Sequence, residues 1–457
     1  MQTTGSNLNA GSTLADNPVY SSTSGNFDGT SIYTPTDGQT TSSLVNVGDW
    51  ASIFPTANTT TPYVAQVTNV GAGVNGTITV STTAKFGTAP GAVACKCRTG
   101  GAWADFGMLA AGVALNTGTV AQSTRINLKA GTYSNGATGR NFGLIGTATT
   151  PLMWRGYKTT IGDQEFNNAA VAGTDIPAYT STTGQVTQGT AAGYQIFQNI
   201  DFSGAATGGN GFWVCSAGYT TFYGCRITNI ASNANSSAIQ MTSNGSAARF
   251  IRCKLTATTT ATRCVYVNAA VYAQFYGCDV IGGIQGIEQA GGATATIIKH
   301  VILEGQTGDA IKLTTNALID GATIYNPGGN GINITVVSGN SVPIINCYIE
   351  GVTTVGKAGI NNTSGTSSIN VIDIGNAFYN CVNNRLGITE NFYMADVGSL
   401  AASALRGPAA HDFTLRSIGQ ARAFPGPFEN VTAFRGYLDN GAVQHGDPSI
   451  YRGRRGT

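Results

Sequence analysis

The sequence predicts an all-β chain built as a right-handed parallel β-helix, with an N-terminal β region before it and a non-repetitive capping segment after it. Two observations carry that expectation: a six-residue apolar word that returns at a nearly constant pitch, and a composition suited to short strands and tight turns. Charged residues make up only 10% of the 457 residues, against about 25% in an average soluble domain. The exposed faces of helices need more Glu, Lys and Arg than that. The chain instead carries 62 Gly, 18 Tyr and 18 Phe within a hydrophobic fraction of 42%, the balance of many strands joined by turns.

The word is clearest as FYGCRI from Phe222 and FYGCDV from Phe275. Its relatives are FQNIDF from Phe197, FIRCKL from Phe250, IKHVIL from Ile298, IDGATI from Ile319, IINCYI from Ile344 and FYNCVN from Phe378. The seven steps from Phe197 to Phe378 average about 26 residues, a pitch in the range of solenoid coils. Positions one, four and six are apolar or cysteine. The third position is read as Asn199, Gly224, Arg252, Gly277, His300, Asp320, Asn346 and Asn380, mostly residues that tolerate a left-handed backbone, which places a bend there.

Beyond the bend, side chains at positions four and six point to one side of an extended segment. Cys225, Cys253, Cys278, Cys347 and Cys381 then occupy equivalent inward places and pack as small hydrophobes. A second word precedes each bend and turns Phe212, Ile239, Val265, Ile287, Ile311, Ile332 and Ile360 inward, so each coil holds at least two strands. Leucine-rich repeats share the apolar spacing, but segments such as SNGSAA and GGATAT lack the helix that architecture needs.

Three segments follow: residues 1–120 as an attachment or lid region, 121–383 as the β-helix, and 384–457 as the C-terminal cap and tail. In the first, YVAQVTNV and GTITVST joined through GAGVNG read as a hairpin. The net charge of +2 gives no polycationic track for nucleic acid, and the terminal cluster Arg452, Arg454 and Arg455 reads as a solvated tail. No basic leader with an apolar run and no membrane-length apolar stretch is visible, so a soluble chain made in a cytoplasm is expected. Nine cysteines, an odd number, fit poorly with a paired disulfide framework. Cys95 and Cys97 form a lone C-x-C that is too little for a metal site.

INLKAGTYS at the start of the repeat resembles the entry coil of pectate-lyase-like β-helix proteins, and DFTLRS with YLDNGAVQ resembles the last coil of bacterial and bacteriophage β-helix proteins. GSNLNAGSTLADNPVY and RGYKTTIGD are similar to structural proteins of tailed bacteriophages. The resemblance implies a protein of the virion, in contact with other virion proteins of head or tail and assembled as a homo-oligomer such as a trimer.

Polysaccharide-cleaving β-helices need clustered carboxylates. With 22 acidic residues, the chain offers Asp279, Glu304, Asp309, Asp320 and Glu350 as candidates for one shared face. The paired aspartates, G-H-G and R-I-K words of polygalacturonases are absent, and His300, His411 and His445 form no pair or triad. The expectation is therefore a non-enzymatic virion component, a capsid decoration or surface spike, with no catalytic residues, no cofactor and no metal. The alternative is a tailspike-like protein that binds or depolymerises a host glycan, using aromatic residues such as Trp50, Trp103, Trp154 and Trp213.

Overall fold

In the computed structural model, residues 20–56, 63–86, 88–99 and, with short internal gaps, 125–415 are described. Among them there is no α-helix, and the two helical turns, Thr41–Ser43 and Pro408–Ala410, are both 3₁₀. No helix is long and apolar enough to cross a membrane.

Six antiparallel strands come first: β1 (Tyr20–Asp28), β2 (Ile32–Pro35), β3 (Trp50–Pro55), β4 (Tyr63–Val70), β5 (Ile78–Phe86) and β6 (Ala92–Thr99). They close into a barrel in the order β1-β2-β5-β4-β3-β6, which leaves no free sheet edge. The expected hairpin is β4 with β5, pairing Val70 with Ile78. Cys95 and Cys97 both face the barrel core, which they share with Tyr20, Tyr33 and Ile53. At the junction with the solenoid, Val64 of β4 belongs to the solenoid's own apolar cluster, and Trp50 packs against it.

From Arg125 onward the strands stack in parallel into three sheets of eleven, eleven and ten strands. The first sheet runs from Arg125–Lys129 to Tyr393–Met394, the second from Gly131–Ser134 to Gly398–Ser399, and the third from Arg140–Asn141 to Arg385–Leu386. Ten coils thus supply three strands each and the last supplies two, each inner strand hydrogen-bonded to its counterparts one coil before and one coil after.

Register turns sequence repeats into columns. Trp154, Phe197, Phe222, Phe250 and Phe275 are successive partners on the inner side of the first sheet. Their rings stack at 6.0, 5.3, 5.0 and 5.1 Å, close to the roughly 4.8 Å rung of a sheet. Ile298, Ile319 and Ile344 continue the column. On the third sheet the column is Trp213, Ile239, Val265, Ile287, Ile311, Ile332 and Ile360. Trp213, which pairs with Val186 one coil earlier, takes the place expected for Phe212. Both are fully buried, because Trp213 fills the wide end of the core against Phe197, Phe202 and Phe222.

The bend after the first sheet is left-handed at Asn199, Gly224, Arg252, Gly277, His300 and Asn346, with φ between 52° and 60°. Two expected positions move. In the coil of Ile319 the bend residue is Gly321, at φ 68°, and Asp320 ends the preceding strand. Phe378 pairs with Ile349 on the second sheet, so FYNC marks the next corner and Cys381 is not part of the thiol column. The true equivalents in that coil are Asp373, Gly375 and Asn376, in register with Ile344, Asn346 and Cys347. Asn376 there bonds both the Cys347 amide (2.7 Å) and the Ile344 carbonyl (2.9 Å).

Cys225, Cys253 and Cys278 sit just past the bend, and each thiol donates to the carbonyl of the inward aromatic one coil earlier: Phe197 at 3.3 Å, Phe222 at 3.4 Å and Phe250 at 3.4 Å. All nine cysteines are free thiols. Burial pushes Cys215, Cys225 and Cys264 up from an ordinary 9.0 to about 12. The folded state therefore prefers the protonated thiol, and that preference stabilises the fold fully below pH 9 and is lost as pH rises towards 12. The urea midpoint at successive pH values should hold to about pH 9 and then fall, by on the order of 1 kcal/mol per thiol per pH unit. Cys225→Ala should make that alkaline slope shallower. In the ring column, Phe250→Ala should cost about 3–5 kcal/mol by equilibrium unfolding, since it removes the middle of a continuous stack.

Candidate functional site

Each sheet has an outer face, and the three differ in what they leave open. On the second sheet, Asp201, Arg226, Lys254 and Asp279 form one outer column, with Arg226 3.9 Å from Asp201. Further along, Glu304, Tyr325 and Glu350 are successive partners. The chain after Ser399 turns back over this part of the face. Leu400, Ala404, Leu405 and Phe413 form an apolar cluster with Ile302, Tyr348 and Ala377, and Phe413 lies against Tyr325 at 5.8 Å. Glu350 accepts bonds from Tyr348 (2.6 Å) and Ser403 (2.7 Å) beneath that segment. Burial pushes the Tyr348 phenol well above its ordinary value, and the hydrogen bond and charge of Glu350 act in the same direction.

The third sheet's outer face is closed by its own polar groups. Glu288 bonds Arg263 and, at 3.0 Å, Lys312, and the Arg263 guanidinium lies 3.8 Å over the ring of Tyr266. Asp309 accepts from the Asn330 amide (2.7 Å), the Asn330 side chain (2.8 Å) and Asn333 (2.7 Å). Asn330 then passes the ladder on to Ala358 and Asn361. Both carboxylates have their oxygens occupied by donors of the chain itself, so they act as struts between coils.

The five acidic candidates therefore do not share one face. Asp279, Glu304 and Glu350 stand on the second sheet, Asp309 beside the third, and Asp320 on the first, 3.6 Å from Lys299. His300 occupies a bend with φ 53°. His411, His445, Trp103 and Arg452, Arg454 and Arg455 lie outside the described residues. Trp154 and Trp213 are fully buried in the core, which removes them as glycan contacts. Among the described residues no group of three metal-ligating side chains is present.

Among the described residues the first sheet's outer face is left uncovered, and it carries aromatic rings. Tyr219, Ala247 and Tyr272 are successive partners, and Tyr194, just before Gln195–Gln198, extends the column backwards. Its ring stacks on Tyr219 at 4.8 Å. Tyr219 and Tyr272 are 53% and 47% exposed, unusual for rings placed side by side on one flat sheet. In the next outer columns stand Thr221, Arg249 and Gln274, then Tyr223, Ile251 and Tyr276. Arg249 Nε donates to Gln274 Oε1 at 2.8 Å.

Tyr194 also has φ 50°, a conformation that a bulky residue rarely adopts. In that backbone its carbonyl accepts from the Leu152 amide at 3.0 Å while its ring stacks on Tyr219. The sequence carried a signal for this face that the apolar word concealed: tyrosine stands three residues before the inward Phe in YQIF, YTTF and YAQF. Counting only inward positions discards it.

No protein-family model matches the chain, and no curated protein matches it either. Two solved structures are similar to it. The crystal structure of pectate lyase Pel9A has a TM-score of 0.38 and 14% identity, over 71% of this chain and 88% of that one. The tailspike protein gp49 from Pseudomonas phage LKA1 has a TM-score of 0.26 and 12% identity, over 85% of this chain and 66% of that one. At such identities the likeness is one of fold. It nevertheless corrects one expectation: absent reaction motifs pointed to a non-enzyme, whereas one of the similar structures is that of an enzyme, a pectate lyase.

Proposed function

We propose that the chain is a tailspike-like polysaccharide-binding β-helix of a virion surface, and that the glycan docks on the outer face of the first sheet. The observation that carries this reading is the outward tyrosine column, in which Tyr219 and Tyr272 are exposed and the half-buried Tyr194 stacks on Tyr219. A sugar ring offers one apolar face and a rim of hydroxyls. Tyrosine rings meet the first by stacking, and Thr221, Arg249 and Gln274 beside them meet the second by hydrogen bonding. The parallel sheet holds all of these on rigid strands, so little side-chain or loop entropy is lost on binding. The phage-like N-terminal segment supports placement on a virion, with other virion proteins as neighbours and a homo-oligomer as the working form.

The test is affinity electrophoresis of the purified protein through gels containing a panel of bacterial capsular and O-antigen polysaccharides. Retardation by at least one is expected. The double variant Tyr219→Ala, Tyr272→Ala should weaken it by about 10- to 100-fold, as the loss of two stacking rings implies, with an unchanged unfolding midpoint. Equal retardation of parent and variant, or none with any polysaccharide, would refute the reading. Size-exclusion profiles of the polysaccharide after incubation then tell whether binding is followed by chain cleavage.

A further inference from the structure

We infer that the tyrosine face selects acidic polysaccharides, reading the acidic substituent with the guanidinium of Arg249, and that the glycan runs along the coil axis. This rests on the glycan-binding reading above and adds the ligand's charge and direction.

Three observations carry it. The first is that Arg249 lacks a counter-ion. Arg226, Arg263, Lys299, Lys312 and Arg385 each have a carboxylate within ion-pair distance. Among the described residues Arg249, which is exposed, has none. Its one bond to Gln274 uses Nε and leaves the two terminal nitrogens to form the planar fork that matches a carboxylate.

The second is the surroundings. On its own coil and the two flanking ones the outward partners are Tyr219, Thr221, Tyr223, Ala247, Ile251, Tyr272, Gln274 and Tyr276, with no acid among them. The positive field is uncompensated there, and the half-buried rings and Ile251 reduce solvent screening around it. The bond from Gln274 also limits the rotamers of Arg249, so binding an acid costs less order than at a free surface arginine.

The third is direction. Tyr194, Tyr219 and Tyr272 share one column, and columns run parallel to the coil axis. Ala247 leaves a gap between Tyr219 and Tyr272, two rungs or roughly 10 Å apart, beside which Arg249 stands on the same strand. A glycan lying along a strand would meet the rings of one coil only. One lying along the axis meets all three rings and passes Arg249 at the gap.

The measurement compares binding of alginate, and of each acidic polysaccharide retained in the panel, with binding of its carboxyl-reduced neutral form. At least about tenfold tighter binding of the acidic form is expected, falling with added salt. Arg249→Gln should abolish the difference by weakening the acidic form far more than the neutral one, and Arg249→Lys should restore part of it. Tyr194→Ala and Tyr272→Ala, at opposite ends of the column, should each weaken an oligosaccharide long enough to span both. Equal affinity for the two forms, retention of neutral polysaccharides alone, or an Arg249→Gln variant that weakens both forms alike would overturn the acid selectivity while glycan binding stands. A spanning oligosaccharide indifferent to either tyrosine would overturn the axial course. No retention of any polysaccharide removes both readings together.

Discussion

The structure depends on one repeated constraint: from the strand Gln195–Gln198 to the strand Asn370–Ile374, each coil turns its first corner at the same register with a left-handed residue. At Asn199, Gly224, Arg252, Gly277, His300, Gly321 and Asn346 the backbone adopts positive φ, which costs a non-glycine residue on the order of 1–2 kcal/mol. Arg252 and His300 accept that cost because the corner fixes what comes before and after it. Before it, Phe222, Phe250 and Phe275 fall into one stack with interplanar angles of 1° and 6°. After it, the thiols reach back to carbonyls one coil earlier. A coil that turned one residue late would move its whole inward set to the outside.

That constraint also explains how far the sequence could be read. The inward word is visible because core and corner both restrict residue type at fixed spacing. What the word does not encode is which corner it serves. FYNC at Phe378 satisfies the local need for a left-handed residue, Asn380 at φ 51°, followed by a small one, but it turns the chain out of the second sheet. The corner in its place uses Gly375 and Asn376, whose side chain performs by two hydrogen bonds what the cysteine column does by packing. Trp213 was obscured for a similar reason: in GFWVC two adjacent large residues are both buried, and period-two counting cannot choose between them.

The outer faces were harder to read because nothing forces an exposed residue to repeat. Acidic residues attract attention in so weakly charged a chain, yet Asp309, Glu288 and Glu350 turn out to be satisfied by neighbouring donors. In a parallel stack an outward carboxylate lies about 4.8 Å from the next coil's side chain, so a strut between coils is its easiest use. Tyr219 and Tyr272 form no such strut, and although Tyr219 stacks on Tyr194, both keep about half of their surface exposed. The recurrence of tyrosine three residues before the inward Phe serves neither the corner nor the core, which is why it points to something outside the chain.

The same reasoning separates the open face from the closed ones. The second sheet's apolar outer residues are covered by Leu400, Leu405 and Phe413, and the third sheet's charges are neutralised in place. Where the chain had apolar or charged surface to hide, it supplied the means from its own length. Among the described residues, Tyr219, Tyr272 and Arg249 on the first sheet stay exposed, and Tyr194 adds a half-buried third ring to their column. A row of tyrosines around a guanidinium that has no counter-ion among the described residues suits a sugar chain bearing acid groups better than a protein core.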